Sequence, residues 1–162
     1  MKKDPRIRKL KEKKLAGKRM TMSLKEDRTP ELWASFMNRR IEILNTIGSE
    51  YYSMQIYGAD FFKKFNPVAE FEKWATVEVT NFELLPPDLD TFILHAGLYA
   101  SFIYRGLARD AGPFFEHIFR VWLPGSAYEL DDRPHFEILG SKYRRDSSNS
   151  EEEVWIPIKP KE

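Results

Sequence analysis

The chain has 162 residues, 42% of them hydrophobic and 31% charged, with a net charge of +1; it fits one domain with one core, residues 1–162, and has no overall electrostatic drive toward nucleic acid. Without a single cysteine it has no disulfide, thiol nucleophile or thiolate metal site, and no apolar run approaches the ~20 residues of a membrane span. The basic N-terminus leads into no apolar stretch of the secretory type, so a cytoplasmic protein is expected.

Residues 1–20 hold ten basic side chains against Asp4 and Glu12, a pattern read as the solvated side of an opening strand, with residues 1–12 a basic segment suited to a sheet edge. Charged and apolar positions alternate over residues 5–23, where Gly17 marks a bulge or bend in one long strand or between two short ones. Thr29 as N-cap and Pro30 at the first helical position open a helix predicted over 30–47, apolar at Leu32, Trp33, Phe36, Met37, Ile41, Ile43, Leu44 and Ile47 and stopped by Gly48. Residues 51–57 read as a strand with Tyr51, Ser53, Gln55 and Tyr57 on one face and Tyr52, Met54 and Ile56 on the other.

A polar, Phe-rich connection leads to a strand over 74–79, with Trp74, Thr76 and Glu78 opposite Ala75, Val77 and Val79. After the Leu85-Pro86-Pro87 break, residues 91–104 are strand-like, with a kink expected at Gly97. A second amphipathic helix covers 112–123 through Phe114, Phe115, Ile118, Phe119, Trp122 and Leu123. Pro124-Gly125-Ser126 breaks it, a short acidic loop follows, and residues 135–139 form a strand. A Ser- and charge-rich loop over 141–152 precedes a last strand over 154–158, which Pro157 places at an edge or an end.

The two halves repeat one order of elements. The expected fold class is α+β: two β-α-β-β units sharing one antiparallel sheet, with both helices on one face and a ligand cleft on the other. Glu137 lies between Phe136 and Ile138 in its strand and so points away from both. On the helix-free face Glu137, Glu78, Trp74, Tyr51, Tyr57 and Trp155 are expected to converge, with Tyr99 and Tyr104 as further walls, because Trp and Tyr combine apolar area with a polar handle. A carboxylate among rings suits a cation or general acid/base work. His95, His117 and His135 show no metal-ligand spacing, no catalytic residue set, nucleophile elbow, phosphate loop or dinucleotide fingerprint is present, and no cofactor is expected.

The element order, with Leu32-Trp33, residues 71–75, residues 97–102, and the run from Trp122-Leu123-Pro124 through Tyr128 to Phe136-Glu137, resembles the GyrI-like effector-binding domain that is also attached to AraC-type and MerR-type transcription regulators. The resemblance covers nearly the whole chain, and its most specific part is the segment from Trp122 to Glu137. It implies a pseudo-two-fold duplication around an aromatic cleft that takes bulky, often cationic compounds against a glutamate, here Glu137. Regulators of this kind carry a helix-turn-helix segment before the domain, and only about 20 strand-like residues stand before it here, so the resemblance implies a free-standing form without direct nucleic-acid binding.

Non-catalytic binding of a lipophilic cation or aromatic small molecule, by a monomer or weak homodimer, is therefore the first functional expectation. A hydrolase of electrophilic compounds using Glu137 with a tyrosine, as in some members of the wider family, is the second. A protein-protein modulator of the gyrase-inhibitor type is the third.

Overall fold

Nine strands and two helices follow one another along residues 4–162, the part of the chain that the computed structural model describes; Lys2 and Lys3 of the basic segment lie outside the described residues. The strands are β1 (Arg6–Leu10), β2 (Lys13–Ser23), β3 (Tyr51–Ile56), β4 (Glu70–Val79), β5 (Asp90–Leu94), β6 (Gly97–Arg105), β7 (Tyr128–Leu130), β8 (His135–Leu139) and β9 (Glu151–Pro160). Helix α1 is Thr29–Met37, and α2 is Gly112–His117, prolonged by a π-helical stretch, Ile118–Trp122, and a last turn, Leu123–Gly125.

The sheet is antiparallel throughout, in the order β1-β6-β9-β8-β3-β4-β2-β5, with β7 on β9. The duplication is visible in that order: β2-α1-β3-β4 and β6-α2-β8-β9 lie on either side of an axis between β3 and β8. The two ends of the order are in addition one ribbon. Pairing runs in constant register from Arg6↔Ser101 and Leu10↔Gly97 to Lys13↔Leu94 and Gly17↔Asp90. Because β1 continues into β2 and β5 into β6 across two residues each, the sheet closes on itself. Gly17 permits the bend, since a Cβ there would stand 1.9 Å from the Ala75 carbonyl oxygen.

Closure gives the two faces opposite uses. Directly paired residues share a face, so Trp74, Met54, Phe136 and Trp155 form one row across four strands. With Leu10, Leu15, Tyr52, Leu94 and Tyr99 they make a buried cluster that holds no helix residue, the filling of the closed sheet. The neighbouring row, Ala75, Ser53, Glu137, Val154 and Phe102, looks outward. There α1 covers the first unit through Leu32 and Phe36 against Ala75, Val77 and Val79, and α2 covers the second through Ile118 against Phe102, Val154 and Ile156. Both helices thus lie on one face.

Four local expectations change. Helix α1 ends at Met37 rather than 47: the chain passes through a 3₁₀ turn, Arg40–Glu42, and then extends, with Ile43 buried while Ile41 and Leu44 stay exposed. The Thr46–Val79 bridge and the Ile47 N–H donating to the Glu78 carbonyl tie this extended segment to β4, so tertiary pairing overrides the helical period. Thr29 is the first helical residue and not the cap; Asp27 accepts from its backbone N–H at 3.0 Å. The acidic loop contains β7, and β9 runs past Pro157, whose missing donor is tolerated within the strand.

Candidate functional site

Strands β3 and β8 meet between the two helices, and their outward row carries the polar side chains. Ser53 stands opposite Glu137 and Gln55 opposite His135. The Gln55 side-chain amide donates to Glu137 Oε1 at 3.0 Å. Among the described residues this is the only hydrogen bond to the Glu137 carboxylate, so Oε2 is left without a donor. Glu137 keeps some surface exposure, yet protein surrounds it closely enough for burial to push its carboxyl above the ordinary range, against the opposing pull of Lys73 and the Gln55 bond.

An aromatic cluster gathers around His135, two residues along the strand. His135 is buried, stacked on Phe62 at 5.2 Å between centroids and edge-on to Tyr57 at 5.0 Å. Phe62, from the connection after β3, stacks in turn on Phe119 of the π-helical stretch at 5.0 Å. One unit's loop and the other unit's helix therefore form a common roof over His135, two residues from Glu137 on the same face. Tyr57 also meets Phe61 at 4.5 Å and Phe71 at 5.1 Å. Burial pushes His135 down to about 3, with Arg133 adding to the shift, so the imidazole is neutral and acts as one more flat ring. Tyr57 is raised by burial and then by the Glu137 charge, which places its hydroxyl within the field of the carboxylate.

A second carboxylate borders this centre. Glu152 lies on the outward face of β9, beside Tyr104 of β6, and burial with the Glu137 charge raises it to about 7 while Lys73 opposes. An open depression of about 290 Å³ is bounded by Glu152, Glu50, Glu151, Glu153, Ile138 and Lys142 among others. It ends at Glu152 and does not include Glu137. π-helical insertions are common where a helix serves a site, and of the residues from Gly112 to Trp122 only Ile118 is buried.

The eight side chains expected to converge fall on two faces. Glu137, Tyr51 and Tyr57 look toward the helices, Tyr51 packing on Trp33 and Phe36 at 6.0 and 6.1 Å. Tyr104 shares that face but belongs to the α2 core, its hydroxyl donating to the Leu107 carbonyl at 2.5 Å. Trp74, Trp155, Tyr99 and Glu78 are on the inward face. The Trp74 and Trp155 indoles donate to Glu72 and Glu153 at 2.7 and 2.9 Å, the Tyr99 hydroxyl donates to the Pro134 carbonyl at 2.8 Å, and Glu78 pairs with Lys13 at 3.3 Å. The expected cleft on the helix-free face is thus corrected: closure turns that face inward and core fills it, whereas Glu137, Tyr51 and Tyr57 lie on the face that carries the helices. Phe62, Phe119, Gln55, Glu152 and Lys73 were not singled out in the sequence; only the alternation of β3 hinted at Gln55. Among the described residues no group of three or more potential ligands could hold a metal, and no helix is long and apolar enough to cross a membrane.

Residues 3–159 match the family described as the GyrI-like small molecule binding domain. No curated protein matches the chain. Several solved structures share its fold. SAV2435 bound to tetraphenylphosphonium superposes with a TM-score of 0.74 at 16% identity, over 97% of this chain and 94% of that one. The EcmrR C-terminal domain does so with a TM-score of 0.68 at 12% identity, over 97% and 98%. A hydrolase encoded by lin2189 from Listeria innocua follows with a TM-score of 0.59 at 8% identity, over 98% and 93%.

Proposed function

The chain belongs to the GyrI-like small molecule binding domain family, and on that premise we propose that it binds a bulky lipophilic cation in the groove between α1 and α2, without chemical conversion. The observation that carries the reading is Glu137, a half-buried carboxylate whose one protein hydrogen bond among the described residues comes from Gln55, two residues along its strand from the ring stack over His135. A hydrated ion gains little by leaving water for such a place. A cation whose charge is spread over aromatic groups loses little hydration, gains about 0.5–2 kcal/mol from a ring it faces, and supplies the counter-charge that Glu137 lacks. The likeness to SAV2435, which binds tetraphenylphosphonium, supports the same ligand class.

Calorimetric titration with tetraphenylphosphonium tests the proposal, with neutral triphenylphosphine oxide as the control. Saturable binding of the cation at least tenfold tighter than of the neutral compound is expected. Equal affinity for the two would remove the role given to Glu137.

One observation favours a second reading. Tyr57 packs edge-on to His135 at 5.0 Å, two residues from Glu137, and the Glu137 charge adds to the burial that raises its phenol; a tyrosine and a carboxylate on one face form a pairing able to activate and position a water for attack on an electrophile. Turnover of an epoxide or a strained ring by the wild type, lost in both Glu137→Gln and Tyr57→Phe, would establish it; no turnover would leave binding alone.

A further inference from the structure

Near the middle of the outward face three charged groups, Lys73, Glu137 and Glu152, do not neutralise one another by contact. Gln55 of β3 stands opposite Lys73 of β4 on one side and His135 of β8 on the other, and it donates to Glu137. Lys73 therefore lies about two strand spacings, ~10 Å, from β8 at the backbone, and its flexible stem covers much of that gap. Val154 stands opposite Glu137, and Glu152 is two residues back along β9 on the same face. Among the described residues neither Lys73 nor Glu152 has a side-chain hydrogen bond or ion pair. The Lys73 ammonium nevertheless favours ionisation of both Glu137 and Glu152, and the Glu137 charge opposes that of Glu152. The three groups are thus close enough to act on one another through an interior that screens poorly. Lys73 also acts on Asp27, but that carboxylate is already engaged by the Thr29 N–H at 3.0 Å and by its hydroxyl.

Half-buried charges without partners cost stability, and a place that keeps three of them is a candidate for function. Above the raised range of Glu152, about 7, two ionised carboxylates and one ammonium sum to −1. A bound monocation brings that sum to zero, whereas a dication leaves a surplus positive charge beside Lys73.

We infer that Lys73 and Glu152 set the charge of the accepted ligand: with Glu137 they form a site of one net negative charge, matched to a monocation, and Lys73 is the group that disfavours dications. Glu152 supplies the second negative charge, Lys73 cancels one of the two, and its repulsion opposes the further charge of a dication. The inference rests on the proposed binding of a lipophilic cation and names the charge class within it.

The test compares tetraphenylphosphonium with butane-1,4-bis(triphenylphosphonium), a dication built from the same aromatic group, by calorimetry at about pH 8.5, where the raised carboxyls are ionised, on the wild type, Lys73→Met, Lys73→Gln, Lys73→Arg and Glu152→Gln. The wild type is expected to prefer the monocation. Lys73→Met and Lys73→Gln should tighten the dication tenfold or more and shift the ratio of the two affinities at least fivefold toward it, while Lys73→Arg keeps the wild-type ratio. Glu152→Gln, leaving no net charge, should weaken the monocation about tenfold. A ratio within twofold of wild type in whichever neutral Lys73 variant folds overturns the inference and leaves the binding proposal standing. Absence of binding of either compound to the wild type overturns both.

Discussion

Replacing Glu137 by Gln removes a charge and little else. The Gln55 amide at 3.0 Å can still donate to the carbonyl oxygen of the new side chain, so the local geometry is kept. The loss in binding follows from Coulomb's law. A delocalised cation whose centre stands ~6 Å from the carboxylate, at the effective dielectric constant of ~20 that suits protein sites, is attracted by about 2.8 kcal/mol, near a hundredfold in affinity. Part of that attraction is spent on ionising a carboxyl that burial holds above its ordinary range, which brings the expected net loss to between tenfold and a hundredfold near neutral pH. Titration of tetraphenylphosphonium into both proteins, with urea unfolding in parallel, measures it. Folding stability should be unchanged or slightly higher, since an unpaired carboxylate no longer has to be enclosed. Affinity within twofold of wild type in a folded Glu137→Gln protein would refute the reasoning.

Stability and pH should be linked through Glu152. Its folded value of about 7 stands above the ordinary 4.5, so the folded state holds more protons between those values and stability falls as pH rises through that window. The full effect is on the order of 3 kcal/mol before relaxation and solvent screening reduce it. Urea midpoints at pH 4.5 and 8 should therefore differ more in wild type than in Glu152→Gln, and equal differences would argue against a raised Glu152. Because tetraphenylphosphonium carries a permanent charge, its affinity should rise with pH over the same range as Glu152 and Glu137 ionise, with Lys73 favouring that ionisation, Gln55 favouring it at Glu137, and buried His135 remaining neutral; a flat profile would count against both carboxylates. Trp155→Phe should leave affinity within about twofold, since Trp155 stacks on Phe136 at 5.2 Å inside the closed sheet, and a tenfold loss would place the ligand on the wrong face here. Gly17→Ala should destabilise by ~2 kcal/mol or more, because its Cβ would meet the Ala75 carbonyl oxygen at 1.9 Å; a stability within 0.5 kcal/mol of wild type, measured by urea unfolding, would show that β2 and β4 separate there at little cost.

Much of the fold was legible residue by residue. The alternation around Glu137 put it opposite Phe136 and Ile138, and β8 has the predicted bounds of 135–139. The break at Gly97 separates β5 from β6, and α1 starts within a residue of Pro30 because proline fits the first turn. Helical periodicity misled at Ile41, Leu44 and Ile47, whose spacing continues that of α1 although the chain there is pinned to β4. The candidate site was legible only in part: Glu137, Tyr51, Tyr57 and Tyr104 lie on the face that carries the helices, while Trp74, Trp155, Tyr99 and Glu78 turn inward.

The amino-acid sequence by itself determined the duplicated order of strands and helices and the opposition of side chains within each strand, because both follow from local periods of 2 and 3.6 residues. It also determined that a carboxylate stands among aromatic residues in β8. Which face of one strand joins which face of the next was decided only by the tertiary structure, because register across strands is a long-range property: the pairing of Ser53 with both Ala75 and Glu137 sets it. The same holds for closure of the sheet, which rests on β1–β2 meeting β5–β6 some eighty residues later. Closure made one face a core and left Glu137, Lys73 and Glu152 together on the face that carries the helices.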